Sequence, residues 1–98
     1  MYPIKYLPDT IIDKEDIKEY LSQYYPDSAG RFFSRMRKRI AHIKKYPYSC
    51  PVYEGDPDYR RLVVDDFLVF YMVRENPKSI EIHRIFHGSQ DISRQLNV

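Results

Sequence analysis

Residues 28–45 constrain the fold of this 98-residue chain more than any other stretch. Ala29, Phe32, Phe33, Met36, Ile40 and Ile43 recur at i, i+3, i+4 and i+7, which is one stripe of a helix. Arg35, Arg37, Lys38, Arg39, His42 and Lys44 occupy the remaining faces. Ser28 is placed as the N-cap and the helix is run to about Lys45. A stripe of this kind must be covered by a second layer of structure. The segment also carries charge unevenly. It holds seven Lys and Arg and no acid, a net +7, whereas residues 1–27 hold three Lys against six acids, a net −3. Residues 46–98 hold six bases against eight acids, a net −2, so the chain's total of +2 conceals a concentrated positive block. Two readings fit the block: a docking surface for nucleic acid or an acidic protein, and a solvated helix face.

The flanking segments supply the other layer. Tyr2–Leu7 reads as a short strand stopped by Pro8-Asp9. A first helix is expected over Thr10–Tyr25, with Ile17, Leu21 and Tyr24 at helical spacing and Asp13, Glu15 and Asp16 near its acidic start. Only a few residues around Pro26 separate it from the second helix, so the two form an antiparallel hairpin. Tyr46–Asp58, with Pro47, Pro51, Pro57 and Gly55, reads as an irregular loop. Its tyrosines, Tyr46, Tyr48 and Tyr53, either pack on the sheet or serve a functional loop.

From Tyr59 onward the pattern is that of strands. Tyr59–Val64, Phe67–Val73 and Ile80–Phe86 are separated by the turn signals Asp65-Asp66 and Asn76-Pro77, so the three form an antiparallel meander. Gly88 ends the last strand, and Asp91 is placed as the cap of a short helical turn with Ile92 and Leu96. The expected architecture is α+β in the order β-α-α-β-β-β, one domain over residues 1–98. A helical hairpin covers one face of a mainly antiparallel sheet, burying its stripe against Val63, Val69, Ile80 and Ile82 or their opposite-parity neighbours.

Composition excludes several function classes. One cysteine makes no internal disulfide and no thiolate cluster for zinc, which points to a reducing compartment. No apolar run approaches the roughly 20 residues that span a bilayer. Met1–Tyr6 lacks the basic-then-apolar pattern of a signal peptide, so a cytoplasmic location without membrane partners is expected. Metal sites are not expected: His83 and His87 stand about 13 Å apart along a strand, and no carboxylate run completes a ligand set. The three glycines lie in unrelated contexts and form no phosphate loop, and no cofactor is expected.

One constellation remains for chemistry. Arg60 and Arg61 open a strand, Arg84 and His87 close another, and Tyr71 lies on the strand between. Metal-free RNA cleavage needs a base for the 2′-hydroxyl, an acid for the leaving 5′-oxygen and cations for the phosphate. Histidine and arginine suit those roles. Strand parity sets Arg84 on the side of Ile80 and Ile82, with His83 and His87 on the other. A bulge near Ile85 would reconcile them, or Arg84 is a structural arginine paired with an acid. His83 is read as a surface residue facing a neighbouring strand.

Tyr59-Arg-Arg-Leu-Val-Val64, Phe67-Leu-Val-Phe-Tyr-Met-Val73 and Ile80-Glu-Ile-His-Arg-Ile-Phe-His-Gly-Ser-Gln-Asp-Ile92, in this order of elements, resemble the RelE/ParE toxins of bacterial type II toxin–antitoxin (plasmid stabilisation) modules. Arg84-Ile-Phe-His-Gly88, followed by Gln90-Asp91-Ile92, looks like the ParE-side ending. The resemblance implies a toxin neutralised by a cognate antitoxin, with two activities on one fold. RelE-like members cut mRNA on the ribosome, whereas ParE-like members poison DNA gyrase. Arg60 and Arg61 match the basic start of the family's second strand, and His87 matches a histidine used by some branches. Leu68 stands where the RNases carry a phosphate-binding arginine, and Gln90 stands near a second expected base. A third reading is a catalytically degenerate module that only binds an antitoxin or regulates.

Overall fold

The structure, a computed structural model, describes residues 1–88. Its elements run β1 (Ile4–Tyr6), α1 (Pro8–Ser22), α2 (Ser28–Lys45), β2 (Val52–Tyr53), β3 (Asp56–Val64), β4 (Phe67–Glu75) and β5 (Lys78–His87). The five strands lie in the order β1-β5-β4-β3-β2, with β1 parallel to β5 and every other pair antiparallel. This is the α+β arrangement expected, with one strand more. The segment read as a loop contains β2 and the start of β3. Pro57 is tolerated because it lies in a gap of register, between the pairs Tyr53–Asp56 and Val52–Arg60. The expected turn at Asp91, with Ile92 and Leu96, and the position of Gln90 lie outside the described residues.

The stripe on α2 is core. Phe32, Met36, Ile40 and Ile43 are buried, and with Ile17 they meet Leu62, Val64, Val69, Tyr71, Ile80 and Ile82 of the sheet. Phe33 sits at the margin, half-buried. Val63 faces away and is 48% exposed, so Leu62 and Val64 take the place expected for it. Register gives the reason: Val69 points to the helices and is paired with Leu62, which forces Val63 to the opposite face. Val63→Ser should therefore change stability by less than about 0.5 kcal/mol. Val64→Ser should cost about 2 kcal/mol or more, because it buries a hydroxyl and loses apolar contact. Thermal denaturation of the two variants checks this.

Ser28 is the first residue of α2 rather than its cap; Asp27 holds the cap position and makes no side-chain cap bond. The hairpin between β3 and β4 turns at Asp65, whose φ of 55° is left-handed, a region that aspartate enters more readily than most residues. Arg35 of α2 grips that carboxylate through Nε and Nη2, the shortest contact being 2.6 Å. Arg39 donates to the Val63 carbonyl at 2.8 Å. Part of the basic block thus fastens α2 to β3.

The first helix starts two residues before Thr10, because Pro8 fits the first turn, where its missing N–H is not needed. It ends at Ser22, and Tyr24 lies beyond it, 60% exposed, rather than in the core. Its buried stripe is Thr10, Asp13 and Ile17, largely polar. The backbone it covers explains this. β1 pairs with β5 only over Ile80–Ile82, so at and beyond the end of that pairing β5 presents backbone groups to α1, among them the Ile82 carbonyl, which also accepts from the Leu7 N–H at 3.1 Å. Thr10 Oγ1 donates to the Ile82 carbonyl at 2.7 Å, and the Ile85 N–H donates to Asp13 Oδ2 at 2.9 Å.

Candidate functional site

The register of β5 decides which side chains share a face. Tyr71 is paired with Ile82 and Phe70 with Arg84, so His83 is an extra residue, a bulge. The bulge lies two residues earlier than expected. It carries Arg84 to the face away from the helices, where Arg61, Phe70 and Arg84 form one cross-strand row. Ile85 and His87 return to the helix side, opposite Val69 and Phe67.

The five candidate residues accordingly divide. Arg61 is exposed on the outer face, and no other described residue pairs with its guanidinium. Arg84 shares that face, with its guanidinium 4.6 Å from the centre of the Phe86 ring. Its Nε and Nη2 donate to Asp13 at 2.8 and 3.0 Å, which raises the already high guanidinium pKa. It is the arginine paired with an acid that parity left open. Arg60 and Tyr71 pair with each other on the helix side. Arg60 donates to the Cys50 carbonyl at 2.7 Å and lies 4.9 Å from the centre of the Tyr48 ring. Tyr71 is fully buried and donates its hydroxyl to the Pro47 carbonyl at 2.9 Å; burial pushes its phenol far up. His87 meets the Phe67 ring edge-on, 5.3 Å between centres.

Arg60 and Tyr71 therefore fasten the 46–50 segment to the sheet. Glu75 completes the tether by accepting from both Tyr2 and Tyr48. That carboxylate holds the Tyr2 phenol up at about 12 and is itself lowered by the two hydroxyls. Tyr46 and Tyr48 remain about half exposed.

The outer face carries a second group of residues, which sequence reasoning passed over. Tyr59 Oη lies 3.2 Å from His83 Nδ1, His83 Nε2 lies 3.1 Å from Glu81 Oε1, and Arg74 Nε donates to the same oxygen at 3.1 Å. The Tyr59 ring stands edge-on to both His83 and Phe70. The signal was present in Glu81-x-His83, since residues two apart in a strand share a face. Asp13 was legible only as a helix-terminal acid.

Between the helices lies a groove of about 430 Å³. Ala29, Phe33 and Met36 contribute apolar surface to it, Lys14, Lys18 and Arg37 contribute cations, and Gly30 leaves open space above its Cα. Lys14 Nζ stands 4.6 Å from the centre of the Tyr6 ring beside it. Among the described residues, no group of three or more His, Cys, Asp or Glu could hold a metal ion, and no helix is long and apolar enough to cross a membrane.

The architecture has counterparts among solved structures. It matches a solved structure described as "Chromosomal ParDE TA system from P. aeruginosa" with a TM-score of 0.74 and 18% identity, covering 89% of this chain and 96% of that one. At that identity the likeness shows a shared fold. The family model for the ParE toxin of type II toxin-antitoxin system, parDE, matches residues 4–92, and the chain belongs to that family. No curated protein matches it.

Proposed function

We propose that this chain arrests bacterial growth in the cytoplasm by binding DNA gyrase, without cutting RNA, and that a cognate antitoxin neutralises it. The observation that carries this reading is the dispersal of the candidate RNase residues. Arg61 and Arg84 stand on one face of the sheet while Arg60, Tyr71 and His87 stand on the other. Arg84 is neutralised by Asp13, and Tyr71 is buried against Pro47. Proton transfer and phosphate stabilisation require groups that converge on one reacting centre, and these do not. Leu68, in place of a phosphate-binding arginine, agrees with the reading.

The inter-helix groove is the proposed seat of the antitoxin, whose acidic and aliphatic side chains would meet Lys14, Lys18 and Arg37 around an apolar floor. Gly30 fits that role: a glycine in a helix is less favourable than alanine by up to about 1 kcal/mol. Nothing within 4 Å among the described residues requires its missing Cβ. Gly30→Ala should raise the toxin's melting temperature slightly, whereas Gly30→Trp should weaken antitoxin capture, read by calorimetry, without unfolding the free toxin.

Expression in a bacterial host tests the function. Growth arrest with SOS induction, relieved by co-expressed antitoxin, is the expected result. Arrest without SOS induction, accompanied by mRNA cut at codons, would refute it, and so would the absence of toxicity.

A further inference from the structure

The Tyr59–His83–Glu81 chain has an order of donors and acceptors that its geometry determines. The Glu81 carboxylate only accepts, so the hydrogen between it and His83 belongs to Nε2. In the neutral ring Nδ1 is then an acceptor, and the Tyr59 hydroxyl donates to it. Arg74 donates to the same Glu81 oxygen. The carboxylate is held below its usual range, mainly by the His83 hydrogen bond. It stays ionised and orients the imidazole. Burial keeps the Tyr59 phenol protonated, so its proton must be taken by a base. Nucleophile, base and orienting carboxylate stand in the sequence that covalent catalysis uses. None of the three is among the five candidate residues Arg60, Arg61, Tyr71, Arg84 and His87, and Tyr59 and His83 are both only partly covered.

The same face supplies a cation. Arg61 lies two residues along β3 from Tyr59, about 7 Å at strand rise, with the same parity and an exposed side chain. Asp56, Asp58 and Glu81 add negative charge near the phenol, and Arg74 opposes it. A guanidinium with no partner among the described residues, beside a base-activated hydroxyl, suits a phosphoryl centre, because its fork matches the two oxygens that gain charge when phosphorus is attacked.

We infer that Tyr59 is an activated nucleophile, oriented for reaction by His83 and Glu81, and that the electrophile it takes is the phosphoryl group of a phosphoric ester or anhydride held by Arg61. Tyr59 Oη bonds to phosphorus as its proton passes to His83 Nδ1. The bond from phosphorus to the leaving oxygen breaks with its electron pair, and that oxygen takes the proton from His83. The product is a phosphorylated Tyr59, a modification of the outer sheet face distinct from the gyrase and antitoxin readings.

Diisopropyl fluorophosphate is a suitable probe, with fluoride as leaving group, and intact-mass and peptide mapping locate the adduct. One adduct on Tyr59 is expected, forming at least about tenfold faster than any on the exposed Tyr24 and Tyr25, in line with the usual gain from a positioned base. His83→Asn should remove that advantage. Arg61→Gln, which alters an exposed side chain with no described partner, should slow labelling without changing the circular dichroism spectrum. Glu81→Gln should slow it as well. If Tyr59 reacts no faster than the exposed tyrosines, or the adduct forms elsewhere, the inference is overturned. Equal labelling of wild type and the folded Arg61→Gln and Glu81→Gln variants would also overturn it, leaving the chain of hydrogen bonds as a brace for the bulge.

Discussion

Asp13→Ala should destabilise the protein by on the order of 3 kcal/mol, the larger part of it from groups left behind rather than from the carboxylate removed. Asp13 accepts two bonds from Arg84 and one from the Ile85 N–H, and its side chain is only 10% exposed. Without it, a mostly covered guanidinium and a buried backbone N–H lose their partners together. For a domain near 100 residues this amounts to a fall in melting temperature of roughly 12–24 °C. Asp13→Asn keeps an acceptor but no charge, and should lose about half as much. Adding Arg84→Met to Asp13→Ala should recover part of the loss, since it removes the stranded charge. Additive effects in that double-mutant cycle would show that the pair does not act as a unit.

Asp13 also marks where sequence reading stops. The α2 stripe was legible because the spacing of Phe32, Met36, Ile40 and Ile43 has one helical solution, and burial follows from it. The two hairpins were legible because Asp65-Asp66 and Asn76-Pro77 are short-range turn chemistry. The position of the bulge, at His83 rather than near Ile85, was not, since it arises between strands. The edge of β5 beyond β1 needs an acceptor, and Asp13, seventy-two residues earlier than Ile85, provides it. Shifting the pairing by one residue reverses faces, so recognising β5 as a strand still gave Arg84 the wrong side. The choice between Val63 and its opposite-parity neighbours Leu62 and Val64 was left open by the sequence for the same reason. Polar residues in the α1 stripe, Thr10 and Asp13, hid that helix's buried face because they answer backbone groups rather than apolar side chains. The five candidate residues were named individually, but their separation onto two faces depends on the register of three strands. The Tyr59–His83–Glu81 chain became visible only once that register was known.

Phe32→Ala should cost about 3–5 kcal/mol, a large share of the 5–15 kcal/mol that holds a typical domain folded. The ring is 2% exposed and lies 4.9 Å from Phe67 and 5.1 Å from Phe33, centre to centre. It joins the start of α2 to the start of β4, so the cavity would open where the helix hairpin meets the sheet. Phe33→Ala, at the margin of the same cluster, should cost less than half as much because solvent already reaches it. Urea denaturation separates the two variants by midpoint. Equal midpoints would mean that the α2 stripe is not seated as described.

The chain belongs to the ParE toxin family, and the proposed function makes it a toxin that acts by occupying its target. On that proposal the cations of α2 that do not fasten the sheet, and the groove beside them, would be surfaces for partners. The most direct measurement incubates the purified protein in parallel with DNA gyrase, plasmid DNA and ATP, and with translating ribosomes. Accumulation of gyrase–DNA cleavage complexes, undiminished in His87→Ala, with mRNA left intact, is the predicted result. Codon-specific mRNA cleavage, lost in His87→Ala or in Arg60→Ala/Arg61→Ala while gyrase is untouched, would contradict it.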